Sequence, residues 1–291
     1  MIVPDQKNIK VHFAGCENQP QFKILQETDV KYNLYTAFPF IDKKIYGKTT
    51  FPIMPCGLNH QDIPKHIQQN MKHSIQDSGL FSLMFGSKKG TINKNDIEKW
   101  YNSLVEHTVL SGFTGSCVEV DCQKLFGVEL AWKYRNKLKT DLQNRIINVF
   151  HKEDEKKGLD RLIEFSDYIA ISVPELRFLG KKKSVIPIAN YIKNKKPEID
   201  IHLLGCTENK ILQQLQFCSS ADSTSWTSGR RYGYVAGHKV SNIKIEKFIE
   251  YVGLEKFNKM TKFNNEQNAS ITYLDIENCL KKYNFYAGSQ D

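Results

Sequence analysis

Hydrophobic residues along this chain follow two spacings, one typical of buried strands and the other of amphipathic helices. Apolar or β-branched runs of strand length cover residues 11–15, 33–38, 116–120, 146–150, 168–173 and 199–204. Between them, apolar positions recur with the spacing of one helix face at residues 97–105, 128–138, 159–163, 185–192, 211–215 and 245–252. This alternation predicts parallel βαβ units.

A closed (β/α)8 barrel, the TIM barrel, is the predicted fold because it arranges 291 residues in such units and leaves no sheet edge. A doubly wound sheet is the alternative. It is weakened because no Gly-x-Gly-x-x-Gly follows any predicted strand, and Gly47-Lys48-Thr49 lacks the earlier glycine of a phosphate-binding loop. No repeat, low-complexity stretch or linker interrupts the chain, so we expect one domain over residues 1–291.

Composition and cysteine usage favour a cytoplasmic protein. The chain is 40% hydrophobic and 25% charged, and its apolar runs are far shorter than the ~20 residues of a membrane span. The first residues, MIVPDQKNIK, lack the features of a secretory signal. The seven cysteines form no Cys-x-x-Cys pair, which predicts reduced thiols rather than a disulfide framework or a zinc ribbon.

The charge balance favours a polyanionic partner. The net charge is +9, from 41 basic and 32 acidic residues, and it makes nucleic acid the first candidate. Lys181, Lys182 and Lys183 form a basic run that is also explained as an ordinary solvated surface.

Polar residues follow several predicted strands, at the positions where barrel enzymes carry their chemistry. Asp121, His151 and Glu175 come after three of the apolar runs, and Asp77 and Asp222 follow shorter segments in comparable settings. Each aspartate alone is equally explained as a turn former or helix cap. Four carboxylates at one barrel mouth, however, repel one another and are typical of a catalytic or ligand site.

Carboxylates in this number suit displacement at a sugar carbon. One can act as nucleophile while another transfers protons, through an oxocarbenium-like transition state. A further carboxylate can accept hydrogen bonds from the N1–H and the amine of guanine, which point the same way. The pattern therefore predicts an enzyme that handles purine nucleotides.

Four short motifs carry a family resemblance. They are Asp77-Ser78-Gly79-Leu80-Phe81, Ser172-Val173-Pro174-Glu175, His202-Leu203-Leu204-Gly205, and Asp222 followed by Arg231 and Gly233. In this order they resemble the guanine transglycosylases, whose corresponding segments are Asp-Ser-Gly-Gly-Phe-Gln, Gly-Gly-Leu-Ala-Val-Gly-Glu, the strand before the nucleophile, and the nucleophile with its Arg-x-Gly. The resemblance implies the TIM-barrel fold and a base-exchange reaction.

The departures from the family pattern point to one branch. The tRNA-acting members bind structural zinc through Cys-x-Cys-x-x-Cys and a later histidine, whereas after Asp222 this chain has only Cys279 and His238. We therefore expect no C-terminal zinc subdomain and no metal or other cofactor. Asp222-Ser223-x-Ser225-Trp226 and Phe150-His151 look more like the bacteriophage branch, which exchanges guanine in double-stranded DNA for a 7-deazaguanine such as preQ0. That branch implies the cytoplasm of a host cell.

The resemblance also implies roles for individual residues. Asp222 would be the nucleophile, Asp77 the general base, and Asp121 the partner of the guanine edge. Glu175 would bind the base edge or orient a backbone amide, and His151 would face the purine O6. Phe81 would stack on the base, Trp226 on a neighbouring base, and Lys181, Lys182, Lys183, Arg230 and Arg231 would hold the DNA backbone.

Several of these assignments keep open alternatives. Packing roles explain Phe81, His151 and Trp226 about as well. Two other functions also remain open, namely a tRNA-guanine transglycosylase without zinc and a catalytically silent barrel that binds nucleic acid.

Overall fold

Eight parallel strands form a closed barrel in the computed structural model, which describes residues 9–14, 33–37, 74–80, 93–110, 113–224, 234–235 and 238–239. The strands are β1 (Lys10–Ala14), β2 (Asn33–Ala37), β3 (Ser74–Asp77), β4 (Ser116–Val118), β5 (Ile146–Phe150), β6 (Tyr168–Ser172), β7 (Asp200–Leu204) and β8 (Ser220–Ser223). Each strand pairs with the next, and β8 pairs with β1 to close the sheet. The predicted TIM barrel is confirmed, and the doubly wound sheet is excluded.

Among the described residues, helices follow β3, β4, β5, β6 and β7 in the predicted alternation. They are α1 (Lys94–Leu110), α2 (Gln123–Phe126), α3 (Val128–Asp141), α4 (Glu155–Phe165), α5 (Val173–Phe178), α6 (Val185–Lys195) and α7 (Asn209–Gln214), with 3-10 turns at Lys152–Asp154 and Lys182–Ser184. Five of the six predicted helical stripes coincide with these helices, and residues 245–252 lie outside the described part of the chain. A short antiparallel pair, β9 (Tyr234–Val235) and β10 (His238–Lys239), follows the barrel. No helix among the described residues is both long and apolar enough to cross a bilayer.

The pleat of the strands separates an apolar outer layer from a more polar interior. In β7, Ile201 and Leu203 pack with the surrounding helices, whereas His202 between them turns inward. The His202 ring lies 6.2 Å from that of His12 on β1 and 6.4 Å from that of Tyr168 on β6, both with edge-on geometry. Alternate residues of a strand face opposite sides of a sheet, so one strand supplies both layers.

Three of the predicted acidic residues lie elsewhere relative to their strands than expected. β4 ends at Val118, and the side chain of the next residue, Glu119, lies on the outer side of the sheet and pairs with the buried Arg135 on α3. Asp121 consequently lies three residues beyond its strand rather than directly after it. Asp77 is the last residue of β3 and Asp222 the third residue of β8, so both belong to their strands and do not follow them.

Candidate active site at the carboxyl ends of the strands

The predicted acidic residues and His151 lie at the same end of the barrel. Asp77 ends β3, Asp121 follows β4, His151 follows β5, Glu175 lies in the first turn of α5 after β6, and Asp222 is the third residue of β8. Parallel strands bring their carboxyl ends to one face, where TIM-barrel enzymes carry their active sites. Phe81, Trp226, Arg230 and Arg231 lie outside the described residues.

His151 links two carboxylates at this face. Its Nε2 lies 3.0 Å from Asp121 Oδ2, and its Nδ1 lies 3.0 Å from Glu175 Oε2. All three residues are buried. Glu175 Oε2 also accepts a hydrogen bond from the Lys152 amide, and the Lys124 ammonium lies 3.8 Å from Oε1. The three side chains therefore form a continuous chain, here called the Asp-His-Glu chain.

The Asp-His-Glu chain keeps the imidazole protonated. Burial by itself disfavours the charged ring, but hydrogen bonds and negative charge from Asp121 and Glu175 outweigh it and raise the pKa of His151 to about 10. Although burial opposes ionisation of Glu175, its hydrogen bond from His151 and the nearby positive charges lower the pKa of this carboxyl. At neutral pH, His151 is therefore an imidazolium that lies between the carboxyl groups of Asp121 and Glu175.

This arrangement changes the expected part played by His151. Both ring nitrogens already face carboxylates, so a hydrogen bond to a purine O6 would require one of these contacts to break. The structure instead lets His151 hold Asp121 in place through Oδ2. Among the described residues, Asp121 Oδ1 has one long contact of 3.5 Å, from Ser78 Oγ, which leaves it able to accept stronger hydrogen bonds.

Asp222 is held through a single oxygen. His202 Nε2 lies 3.1 Å from Oδ1, and the Gly205 amide donates to the same oxygen at 2.7 Å. Behind His202, its Nδ1 contacts the Ser220 hydroxyl, which also bonds the Tyr168 hydroxyl. Within the described part of the chain, both hydrogen bonds to the carboxylate fall on Oδ1, so Oδ2 is the oxygen available for chemistry.

Gly205 is placed by a tight contact. Its φ of +65° lies in the left-handed region, and a Cβ at this position would come within 2.5 Å of Pro174 Cγ. Only glycine meets both requirements without strain. The contact packs the start of α5 against the turn whose amide holds Asp222.

A buried ionic cluster supports the Asp-His-Glu chain from outside the barrel. Arg135 on α3 donates to both oxygens of Glu119 at 2.9–3.0 Å and to Asp154 Oδ1 at 3.0 Å. Asp154 Oδ2 in turn accepts the backbone N–H of His151 at 3.0 Å. Arg135, Glu119 and Asp154, here called the ionic cluster, therefore fix the backbone that carries His151.

One group within the described residues has metal-ligating side chains close together. Ligand atoms of His151, Glu153 and Glu175 lie within 4.8 Å of one another. The group is poorly suited to a resident cation, because protons on the imidazole already occupy the positions a metal would take and the Lys124 ammonium lies beside Glu175.

The three predicted lysines differ in their surroundings. Lys181 and Lys183 are exposed, whereas Lys182 forms an ion pair with Glu208, which precedes α7. Sequence reasoning did not assign roles to His202, Gly205 or Lys124. A polar residue between the apolar outward positions of β7 was the signal that could have identified His202.

Comparisons with known proteins give a fold likeness without a family. No protein-family model matches the chain, and no curated protein matches it. Among solved structures, it is similar to QR15, an aldolase, with a TM-score of 0.45 and 10% identity over 77% of this chain and 93% of that one. It is also similar to a phosphonopyruvate hydrolase, with a TM-score of 0.40 and 12% identity over 89% and 95% of the two chains. Both named structures are enzymes, and at this similarity they assign no reaction to this protein.

Proposed function

We propose that this protein is a guanine transglycosylase that exchanges guanine in DNA for a 7-deazaguanine base. The observation that carries the proposal is the Asp222 carboxylate, held through one oxygen at the same barrel face as the Asp-His-Glu chain. The four sequence motifs add independent support, because Asp77, Glu175, His202 and Asp222 all belong to this face or its strands.

The first step forms a covalent intermediate. Asp222 Oδ2 attacks C1′ of the target nucleotide, the C1′–N9 bond breaks, and guanine leaves with the bonding electrons and a proton on N9. Asp77 at the end of β3 supplies that proton. Asp77 then takes a proton from N9 of the incoming 7-deazaguanine, and this N9 displaces Asp222 from C1′.

The contacts of Asp222 fit both halves of this reaction. Fixing Oδ1 orients the carboxylate without an entropic cost at the moment of attack. In the second half Asp222 is the leaving group, and the Gly205 amide and His202 stabilise the negative charge that returns to it. His202 is thus a positioning residue for the nucleophile.

The Asp-His-Glu chain fits guanine recognition. The charged His151 orients Asp121 through Oδ2, leaving Oδ1 for the guanine N1–H and amine. Adenine presents an acceptor at N1, which the carboxylate would repel. A buried base must first leave the duplex stack at a cost of a few kcal/mol, which the positive surface offsets.

The direct test is incubation of the purified protein with radiolabelled guanine and either duplex DNA or bulk tRNA. We expect label in DNA, loss of exchange by several orders of magnitude in Asp222→Asn, and a trapped DNA adduct on Asp222 of the unmodified enzyme. The matched control is Asp167→Asn, which changes an exposed aspartate before β6, at the opposite barrel face. Exchange in tRNA alone would favour the tRNA alternative, and DNA binding without exchange would favour the silent barrel.

Base selectivity is tested separately. Asp121→Asn should lose preference for guanine over adenine with little change in duplex affinity, since the pocket and not the backbone contacts are altered. Full discrimination by this variant would remove Asp121 from base recognition.

A further inference from the structure

We infer that Phe178 and its basic neighbours form a docking surface for duplex DNA, on which Phe178 stacks against a base next to the nucleotide that leaves the helix. The surface consists of Arg177, Phe178, Lys181 and Lys183, here called the α5 platform. The inference rests on the proposed function for the identity of its partner.

Phe178 is unusually exposed for its size. Its relative exposure is 78%, and among the described residues only one other large hydrophobic side chain, Val109, is similarly open. Single exposed apolar residues are common on proteins. Position and surrounding charge, not exposure alone, therefore have to identify a partner.

Chain topology places the platform beside the active site. β6 ends at Ser172 on the carboxyl face, and α6 returns along the barrel toward the start of β7. Residues 173–184 connect them and so lie at the carboxyl face. α5 itself carries Glu175 of the Asp-His-Glu chain, three residues before Phe178.

The platform is fixed relative to the nucleophile. The end of α5 is closed by backbone hydrogen bonds from the amides of residues 179, 180 and 181, with Gly180 at a φ of +69°. The Lys182–Glu208 ion pair joins this connection to the one after β7. Pro174 at the start of α5 packs on Gly205, whose amide holds Asp222.

The charge of the platform suits a phosphate backbone. Arg177, Lys181 and Lys183 are exposed, and the sequence has no acidic residue between Glu175 and Glu198. Exposed aromatic rings combined with cations are typical of nucleic-acid surfaces, since bases stack on the ring while the cations bind phosphates. An acidic protein partner could also pair with the cations, but a duplex offers planar bases and phosphates in regular succession, which suits the ring and the cations together.

Base exchange in a duplex gives the aromatic ring a specific task. A nucleotide that enters the barrel mouth leaves a gap in the base stack, and apolar side chains are known to fill or border such gaps. The fixed position of α5 beside Asp222 would hold Phe178 against the neighbouring base while C1′ reaches the nucleophile.

The test measures affinity for a fluorescent duplex across a salt series. Phe178→Ala should weaken binding roughly tenfold with an unchanged salt slope, and Phe178→Trp should restore it, because stacking does not depend on counterion release. Changing Arg177, Lys181 and Lys183 together to Gln should reduce the salt slope by up to about 2.7. 2-Aminopurine beside the target guanine should be quenched less by Phe178→Ala than by the unmodified protein.

Matched controls lie at the opposite end of the barrel. Val109→Ala removes the other exposed hydrophobic side chain, near the end of α1, and Lys195→Gln removes an exposed charge near the end of α6. Both should leave affinity within about twofold. Thermal melting of every variant checks that the fold is intact, as expected for exposed positions.

The outcomes separate this inference from the proposed function. If Phe178→Ala binds DNA like the unmodified protein while base exchange proceeds, the α5 platform is refuted and the function stands. If exchange is absent from every nucleic acid but Phe178→Ala still weakens duplex binding, the platform stands and the function fails. If Phe178→Ala weakens binding to tRNA but not to duplex DNA, the DNA platform is refuted. It is also refuted if the unmodified protein binds no duplex at any salt concentration.

Discussion

Replacing Glu175 with glutamine should change the protonation of a residue it contacts. Glu175 and Asp121 flank His151 at 3.0 Å on either side, and together they raise its pKa to about 10 against the opposing effect of burial. Glu175→Gln keeps the side-chain size but removes one of the two charges. Loss of one close opposite charge lowers a pKa by about 1–3 units, so we expect the pKa of His151 to fall toward the physiological range.

The energy involved is large on the scale of protein stability. At about 1.4 kcal/mol per pKa unit, the rise from 6.5 to about 10 corresponds to roughly 5 kcal/mol. The unfolded chain releases the His151 proton near pH 6.5, whereas the folded protein keeps it until about pH 10. This stabilisation is therefore complete below about pH 6.5 and is lost as the pH rises through about 10.

Two measurements test this reasoning. NMR titration of the His151 imidazole gives its pKa directly in the unmodified protein and in Glu175→Gln. Urea denaturation at pH 6.5, 8 and 9.5 gives the stability difference between the unmodified protein and His151→Gln, which should shrink as the pH rises. Glu164→Gln, at an exposed position of α4, is the matched control and should leave the titration unchanged.

The refuting result is equally definite. A His151 pKa that Glu175→Gln does not move would mean that Glu175 does not contribute to the rise, and a pKa near 6.5 in the unmodified protein would mean that the imidazole is largely neutral at pH 7. In that case Asp121 would not be held by a positive charge, and the account of guanine recognition given above would lose its electrostatic basis.

Two further substitutions test the supports of the site. Arg135→Met should destabilise the protein by about 3–5 kcal/mol in urea denaturation, because it removes the cation from two buried carboxylates. The control Lys133→Met breaks an exposed ion pair with Glu98 and should cost less than about 1 kcal/mol. Equal costs would contradict the structural role of the ionic cluster. Gly205→Ala should slow base exchange and lower the melting temperature more than Gly180→Ala, which shares the positive φ but meets no atom within 4 Å; equal effects would show that the Pro174 contact is unimportant.

The fold could be predicted because hydrophobic spacing records it directly. A period near two marks the strands and a period near 3.6 marks the helices, and their strict alternation leaves few topologies. The ends of the strands were predicted less accurately than their positions in the chain. β4 ends at Val118, two residues earlier than predicted, and the Glu119 carboxylate beyond it pairs with Arg135, a contact that the local sequence does not encode.

The common face of the acidic residues could be predicted, but their contacts could not. Residues that end parallel strands must share one face, which places Asp121, His151 and Glu175 together. Their relative heights depend on the stagger of neighbouring strands, here Val118 opposite Ile147 and Phe150 opposite Ile171. That register is a property of the closed barrel, so pairing of His151 with both carboxylates emerges only from the structure.

Positions inside the strands were the larger omission. A search for polar residues after each strand identifies Asp121, His151 and Glu175. It does not identify His202, which lies within β7 and faces the barrel interior. It also misses Gly205, whose contribution is a backbone amide and not a side chain. In a small barrel the inward positions nearest the carboxyl end belong to the site as much as the loops do, so inward polar residues are the signal to add.

The ionic cluster and the Asp-His-Glu chain act on opposite sides of one short backbone segment. Asp154 holds the His151 amide from the outer layer, while Asp121 and Glu175 hold its imidazole from the interior. A buried ion pair is often no more stabilising than a well-packed apolar group, because desolvation offsets the attraction. Its advantage here is directional, since hydrogen bonds fix where His151 lies and packing alone would not. We conclude that the ionic cluster matters chiefly by orienting Asp121, through His151, toward the mouth of the barrel.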